Sequence, residues 1–312
     1  MHQFSLQTQT FSQSAINSVF RYVAIFATCV GTLMAMPAAL AQTPTAPPAS
    51  AAPNTPPVPP KIVATTQCTA IKMCYCVNDE FLPLIEERVK MLRRKIADER
   101  AKGKAIGYFS VPLSTTAGGY YNVNAEVSTM AKERLEARFG ADHVWMLNPA
   151  MKEVDLTAPS GARGAHGEYM LMWTQVLEGT TTLGEDFDFV YFAGPTDFAA
   201  FFGLTGKGDM DTLTKYFDDR VAKDASLKRE IERGRVSRNS FRNYYALRAS
   251  VSFSNGAHDE WNIVRILNER RRADSKFGNA NQIPMFFDGK AVSSGEFENP
   301  IAAGSPGACK AP

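Results

Sequence analysis

Residues 104–122 read KAIGYFSVPLSTTAGGYYN. The short apolar run from Ala105 to Phe109 reads as a strand, and it passes into a loop rich in glycine and hydroxyl groups before a helical pattern begins at Val123. Such a loop can bring backbone N–H groups and hydroxyls close to a ligand.

The same alternation of short apolar runs and helical patterns continues along the chain. Strands are predicted at Ala105 to Phe109, His143 to Leu147, Phe187 to Phe192, Leu247 to Phe253 and Ile283 to Phe287. Helices are predicted at Val123 to Phe139, Gly167 to Leu177, Met210 to Glu232 and His258 to Arg272. Five strands joined by four crossovers make an α/β fold, a three-layer flavodoxin- or Rossmann-like open sheet of mainly parallel strands with flanking helices. In such a sheet ligand chemistry falls at the C-terminal strand ends. A helical insertion spans about residues 197–245. Upstream, Asn78-Asp79-Glu80 can cap a helix whose apolar positions Phe81, Ile85, Val89, Leu92 and Ile96 recur every three or four residues up to Gly103. The run Arg93-Arg94-Lys95 on this helix reads as a solvated face, because acidic residues are interleaved with it.

The first 60 residues are different in kind. Residues 1–20 are polar without an acidic group, Arg21 is the sole Lys or Arg before position 61, and Tyr22 to about Leu40 is apolar. The run ends in Ala39-Leu40-Ala41, the small-x-small pattern of signal-peptidase substrates, so residues 1–41 read as a signal peptide cleaved after Ala41. Residues 43–60 hold 8 Pro in 18 positions and read as an extended spacer, giving a linker at 42–60. A cysteine-containing segment with its helix then covers 61–103, and the α/β domain covers 104–312. The expected location is periplasmic or secreted, with no stable membrane insertion after cleavage. Without residues 1–41 the chain has 33 basic and 32 acidic residues, because only Arg21 is lost. That balance favours neither nucleic acid nor an anionic membrane.

Four cysteines follow the signal: Cys68, Cys74, Cys76 and Cys309. An even count in an exported chain suggests two disulfides. Cys74 and Cys76 are too close for an easy mutual bridge, which favours Cys68 with one of them and Cys309 with the other. Redox or metal chemistry at Cys74-Tyr75-Cys76 is the sharper alternative.

Several common devices are missing from the sequence: there is no GxxxxGK[ST], no GxGxxG after a strand, no GxSxG and no HExxH. His143, His166 and His258 lack ligand spacing and read as surface or capping residues, so no metal and no cofactor is expected. Attention therefore falls on the strand ends. The third strand runs into Ala193-Gly194-Pro195-Thr196-Asp197, a sharp turn carrying a carboxylate that could hold a sugar hydroxyl, although Thr-Asp after Gly-Pro is also a common turn and N-cap arrangement. The fourth leads into Ser254-Asn255-Gly256-Ala257-His258-Asp259-Glu260. There Gly256 and Ala257 admit a ligand to a helix N-terminus, Ser254 can donate to it, and Glu260 points to the same crevice. Tyr120, Tyr121, Tyr244 and Tyr245 could stack on a base or simply pack.

Ser254-x-Gly256-Ala257-x-x-Glu260, with Pro112 in the loop after the first strand and Asn148-Pro149-Ala150 after the second, resembles the nucleoside 2-deoxyribosyltransferase-like superfamily over about residues 104–288. The family's first loop usually reads Ala-Gly-Pro, where this chain has Ser110-Val111-Pro112. The resemblance implies that Glu260 is a nucleophile at an anomeric carbon, or assists water there. It implies further that the first loop, with Ser110 and Pro112, holds the nucleoside, and it allows a homodimer; read together with Ser254, Gly256 and Ala257 at the helix start and with Tyr121, Asn122 and Asp197 near the strand ends, these residues are the expected lining of a nucleoside-like small-molecule site. A carboxylate suits cleavage of an N-glycosidic bond, since it stabilises or captures an oxocarbenium-like state. The competing expectation is a non-catalytic envelope binding protein, with Glu260 facing solvent or paired to Arg248 or Arg265.

Overall fold

The computed structural model describes residues 63–113, 118–274, 281–293 and 309. The signal-peptide and linker readings at 1–41 and 42–60, and part of the loop after the first predicted strand, lie outside the described residues.

The chain enters as an antiparallel hairpin, β1 (Ala64–Cys68) and β2 (Cys74–Asn78), which was not among the predicted strands. Two disulfides fix it. Cys68 bonds Cys74 across the hairpin, and Cys76 bonds Cys309, in keeping with the expected pairing. Neither member of the Cys74/Cys76 pair is a free thiol. Asn78 then caps a short 3-10 turn, its side chain accepting from the Glu80 N–H, and α1 (Leu82–Ala101) follows. Ile85, Val89, Leu92 and Ile96 form its buried stripe, as their spacing predicts. Arg93 is not simply solvated: its guanidinium donates to the carbonyls of Gln175 and Gly179 at 2.8 Å each and ties α1 to the end of a later helix.

The main sheet contains β3 (Ala105–Ser110), β4 (Val144–Leu147), β5 (Phe189–Phe192), β6 (Met285–Phe287) and β7 (Lys290–Val292), in the order β4-β3-β5-β6-β7. The first four are mutually parallel, and β7 closes an antiparallel hairpin with β6. Because β3 lies between β4 and β5, the chain leaves β3 in one direction and returns past it in the other. The switch point is therefore at the C-terminal ends of β3 and β5, where Ser110 lies beside Phe192.

Alternation along β3 puts Ile106, Tyr108 and Ser110 on one face and Gly107 and Phe109 on the other. The first face carries α1, α3 (His166–Glu178) and α8 (Asn255–Ala273), with Trp173 of α3 set edge-on to Tyr108 and Trp261 of α8 packed on Phe192. The second face carries α2 (Tyr121–Phe139) and α4 (Pro195–Phe202). Gly107 is required on this face, since a Cβ there would lie 2.4 Å from the Phe189 ring. An open apolar cavity of about 350 Å³ lies here too, lined in part by Phe139, Met146, Phe189 and Phe286.

The insertion adds α5 (Asp209–Lys223), α6 (Ala225–Glu232) and α7 (Arg238–Leu247). The single helix predicted from Met210 to Glu232 is broken at Asp224, whose side chain accepts from the Ser226 and Leu227 N–H groups and starts α6. Tyr244 and Tyr245 are buried, with Tyr245 among Phe198, Phe202 and Phe241, so these aromatics pack.

The strand predicted at Leu247 to Phe253 is overturned. Leu247 ends α7, and Val251–Phe253 is a 3-10 turn. Ser250 accepts from the Ser252 N–H and Ser254 accepts from the Ala257 N–H, so local hydroxyls hold the backbone donors that a ladder would need. Leu247 and Phe253 are correspondingly exposed, at 76% and 50%. A single backbone bond, from the Val251 N–H to the Ala193 carbonyl, holds the segment to the loop that follows β5. The fifth strand is β7 instead.

Candidate active site

Ser254 is the N-cap of α8, and its Oγ accepts from the Ala257 N–H at 3.3 Å. Counting from this cap, Glu260 is in the second turn of the helix, one turn deeper than its motif suggested. Helical side chains lean back toward the N-terminus, which aims Glu260 at the end of β3. There the Tyr108 hydroxyl donates to its Oε1 and the Ser110 hydroxyl donates to its Oε2, each at 2.5 Å. Tyr108 and Ser110 are two apart on one strand, so the period of the sheet sets both donors on the same face. Glu260 is only 6% exposed. It is neither solvent-facing nor paired with Arg265, which binds Glu269.

Burial pushes the Glu260 carboxyl up to about 7, against the pull of the Ser110 and Tyr108 hydroxyls and of nearby His166; neighbouring Asp259 adds to the rise. Burial dominates because removing a carboxylate from water is expensive and two neutral donors only partly replace the water. Tyr108 is raised well above its usual value by its own burial and by Glu260.

Asp259, also buried, extends the site sideways. Its Oδ2 lies 3.1 Å from Nε2 of His166, the first residue of α3. The side chain of His166 is 51% exposed. Its hydrogen bond to Asp259 raises its pKa above 6.5, although partial burial opposes the rise. The first turn of α3 is seated tightly: a Cβ on Gly167 would lie 2.1 Å from the Cys76 carbonyl oxygen. Glu168 accepts from the Asn78 and Ala165 N–H groups at 2.9 Å each and pins the same turn to β2.

Of the predicted residues, Ser110 is in direct contact with Glu260, while Ser254, Gly256 and Ala257 form the start of the same helix. A Cβ on Gly256 would meet only the Met170 sulfur at 3.7 Å and the Ser254 hydroxyl at 4.0 Å. Pro112 is buried in the loop after β3, its carbonyl accepting from Asn124 at 2.6 Å. Tyr121 is partly exposed at the start of α2, in the field of Asp155 and Arg163, and Asn122 donates to the Tyr120 hydroxyl. Asp197 lies on the other face of the sheet, fully buried. It accepts from the Gly194 N–H, the Tyr191 hydroxyl and the Arg134 guanidinium. Burial raises its pKa against those three partners. None of these contacts joins Pro112, Tyr121, Asn122 or Asp197 to Glu260.

Tyr108, Asp259 and His166 were not among the predicted site residues. Tyr108 could have been reached from Ser110 by strand alternation. The His166–Asp259 pair spans 93 positions and had no local signal. No cluster of three or more His, Cys, Asp or Glu side chains suited to a metal occurs among the described residues, and no described helix is long and apolar enough to cross a membrane. No family model, no curated protein and no solved structure matches this chain.

Proposed function

We propose that the protein is an exported N-glycosidase or glycosyltransferase acting on a nucleoside, nucleotide or related N-glycoside, with Glu260 as the nucleophile or water-activating base. The observation that carries this reading is the carboxyl of Glu260, buried near the parallel sheet's switch point and held through both oxygens by Tyr108 and Ser110. Both donors lie on one rigid strand, so the carboxylate is fixed in orientation before any ligand arrives. With its pKa near 7, roughly half the molecules carry the anion at neutrality.

In the reaction, a Glu260 oxygen attacks the anomeric carbon as the carbon–nitrogen bond breaks, or takes a proton from the water that attacks there. Two disulfides support an oxidising compartment, and the near-neutral charge fits a small substrate better than a polyanion.

The test is incubation of the oxidised protein with a panel of nucleosides, nucleotides and dinucleotides, followed by chromatography for released base, with Glu260→Gln alongside. Release that disappears in the variant is the expected result. Release that persists in the variant, or no release by folded wild type, removes the reading.

A further inference from the structure

Heterocyclic bases differ in what they need in order to leave a sugar. A purine or pyrimidine attached through a neutral nitrogen departs as an anion unless it receives a proton, whereas a pyridinium departs as a neutral molecule with no proton transfer. An acid beside the nucleophile therefore serves the first class and is idle for the second. Tyr108 and Ser110 are committed to Glu260, and their hydroxyls are weak acids.

We propose that His166, oriented by Asp259, is the general acid that protonates the leaving base, and that the substrates are N-glycosides of neutral nucleobases rather than of pyridinium bases. This rests on the glycosidic reading above. Asp259 and Glu260 are consecutive on α8, so the residue that orients the acid and the residue that attacks are set by the same helical turn. Asp259 engages Nε2 of His166 at 3.1 Å, which leaves Nδ1 and its proton for a ligand. The imidazole is half exposed, unlike the buried carboxyls beside it, so a bound base can reach it.

The charged and titratable groups around it point one way. Asp259 bonds it from α8, while Glu260 on the same helix and Glu168 on its own act through their charge; all three favour the imidazolium. The start of α3 has the opposite effect, because a helix N-terminus disfavours a cation, and this makes Asp259 necessary. Gly167 and Glu168 lock that first turn against β2, so the backbone that carries the ring is held in place and the Asp259 hydrogen bond orients the ring itself. A Cβ on Gly256 would meet only ordinary contacts, the Met170 sulfur at 3.7 Å and the Ser254 hydroxyl at 4.0 Å, so no close packing forces a glycine at this helix start.

The step balances. The electron pair of the broken carbon–nitrogen bond goes to the base, which takes the His166 proton, while the Glu260 carboxylate bonds to the anomeric carbon. One cation and one anion become a neutral imidazole and a neutral ester. Water or an acceptor hydroxyl then attacks the same carbon, Glu260 leaves as carboxylate, and the proton released returns to His166.

Inosine and nicotinamide riboside share a sugar and differ in this requirement, so they form the test pair for wild type, His166→Gln, Asp259→Asn and Glu260→Gln. For His166→Gln the kcat on inosine is expected to fall about 100-fold or more, with less than about a threefold change on nicotinamide riboside. Asp259→Asn should follow the same pattern more weakly. NMR titration should show the His166 imidazole pKa dropping in Asp259→Asn. Glu260→Gln should abolish both reactions. Equal losses on the two substrates in a folded His166→Gln, or no loss on inosine, overturn the acid role and leave the glycosidic reading standing. Failure of wild type on both substrates and on the wider panel overturns both.

Discussion

Replacing Glu260 by Gln should make the protein more stable, and only above a defined pH. The carboxyl titrates near 4.5 in an unfolded chain and near 7 in the fold. Between those values the native state holds a proton that the unfolded state has released, so stability falls as pH rises through the window. At 1.36 kcal/mol per pH unit the full penalty is about 3 kcal/mol, reached above pH 7. Glutamine has nearly the same shape and is never charged. Its amide oxygen can accept from one of the two hydroxyls, and its NH₂ can donate to the other once that hydroxyl rotates. The stability difference between variant and wild type should therefore be small below pH 4.5, climb through the window and level off near 3 kcal/mol, which for a body of this size is about 6–12 °C in Tm. Urea titrations of both oxidised proteins across pH 4 to 8.5 measure it, and the subtraction cancels the titrating groups that do not interact with Glu260. Parallel stability curves over that range would refute the burial argument, because a Glu260 that stays hydrated has no penalty for glutamine to remove.

Other perturbations separate fold from chemistry. Ser110→Ala deletes one of the two hydroxyls that favour the anion, so the midpoint of the pH–rate profile should rise by roughly one unit, read from initial rates between pH 5 and 9. Gly167→Ala forces a Cβ into the Cys76 carbonyl and should lower stability by about 3 kcal/mol or more, whereas Gly256→Ala meets no such contact and should leave the melting temperature within a few degrees while weakening substrate binding. Thermal melts with KM measurements distinguish the two. Cys309→Ser opens a covalent loop of 233 residues and should cost up to about 5 kcal/mol by chain entropy, against about 2 kcal/mol for opening the six-residue span with Cys68→Ser, as equilibrium denaturation would show.

The strands at 105–110, 144–147 and 189–192 were legible because each is an apolar run buried within the sheet, and such runs stand out from amphipathic helices without any partner being known. The run from Leu247 to Phe253 has the same local look. Its serines bond to their own backbone, however, and that competition cannot be read from hydrophobicity. β1 and β7 were missed because one is largely exposed and the other has three residues, so neither has an apolar signature. In the site, Ser110 was reachable because it ends β3, and Glu260 because a readable serine cap fixes where its helix begins. The His166–Asp259 pair depends on how two helices pack across one face of a sheet, information that no short window of sequence contains.

The bridge between Cys76 and Cys309 closes one covalent ring that contains the whole α/β body, and the residues that precede Cys76 in the chain are not part of that ring. Exposed to a protease, the two regions would have different fates. A cut before the hairpin sheds the N-terminal segment and leaves the ring untouched. A single cut within the insertion or a surface loop opens the ring but separates nothing, because both fragments stay joined through sulfur. Nicked and intact molecules would migrate apart only after reduction, and a nicked one keeps β3 and α8, with Ser110 and Glu260, on a single covalent molecule able to hold its shape.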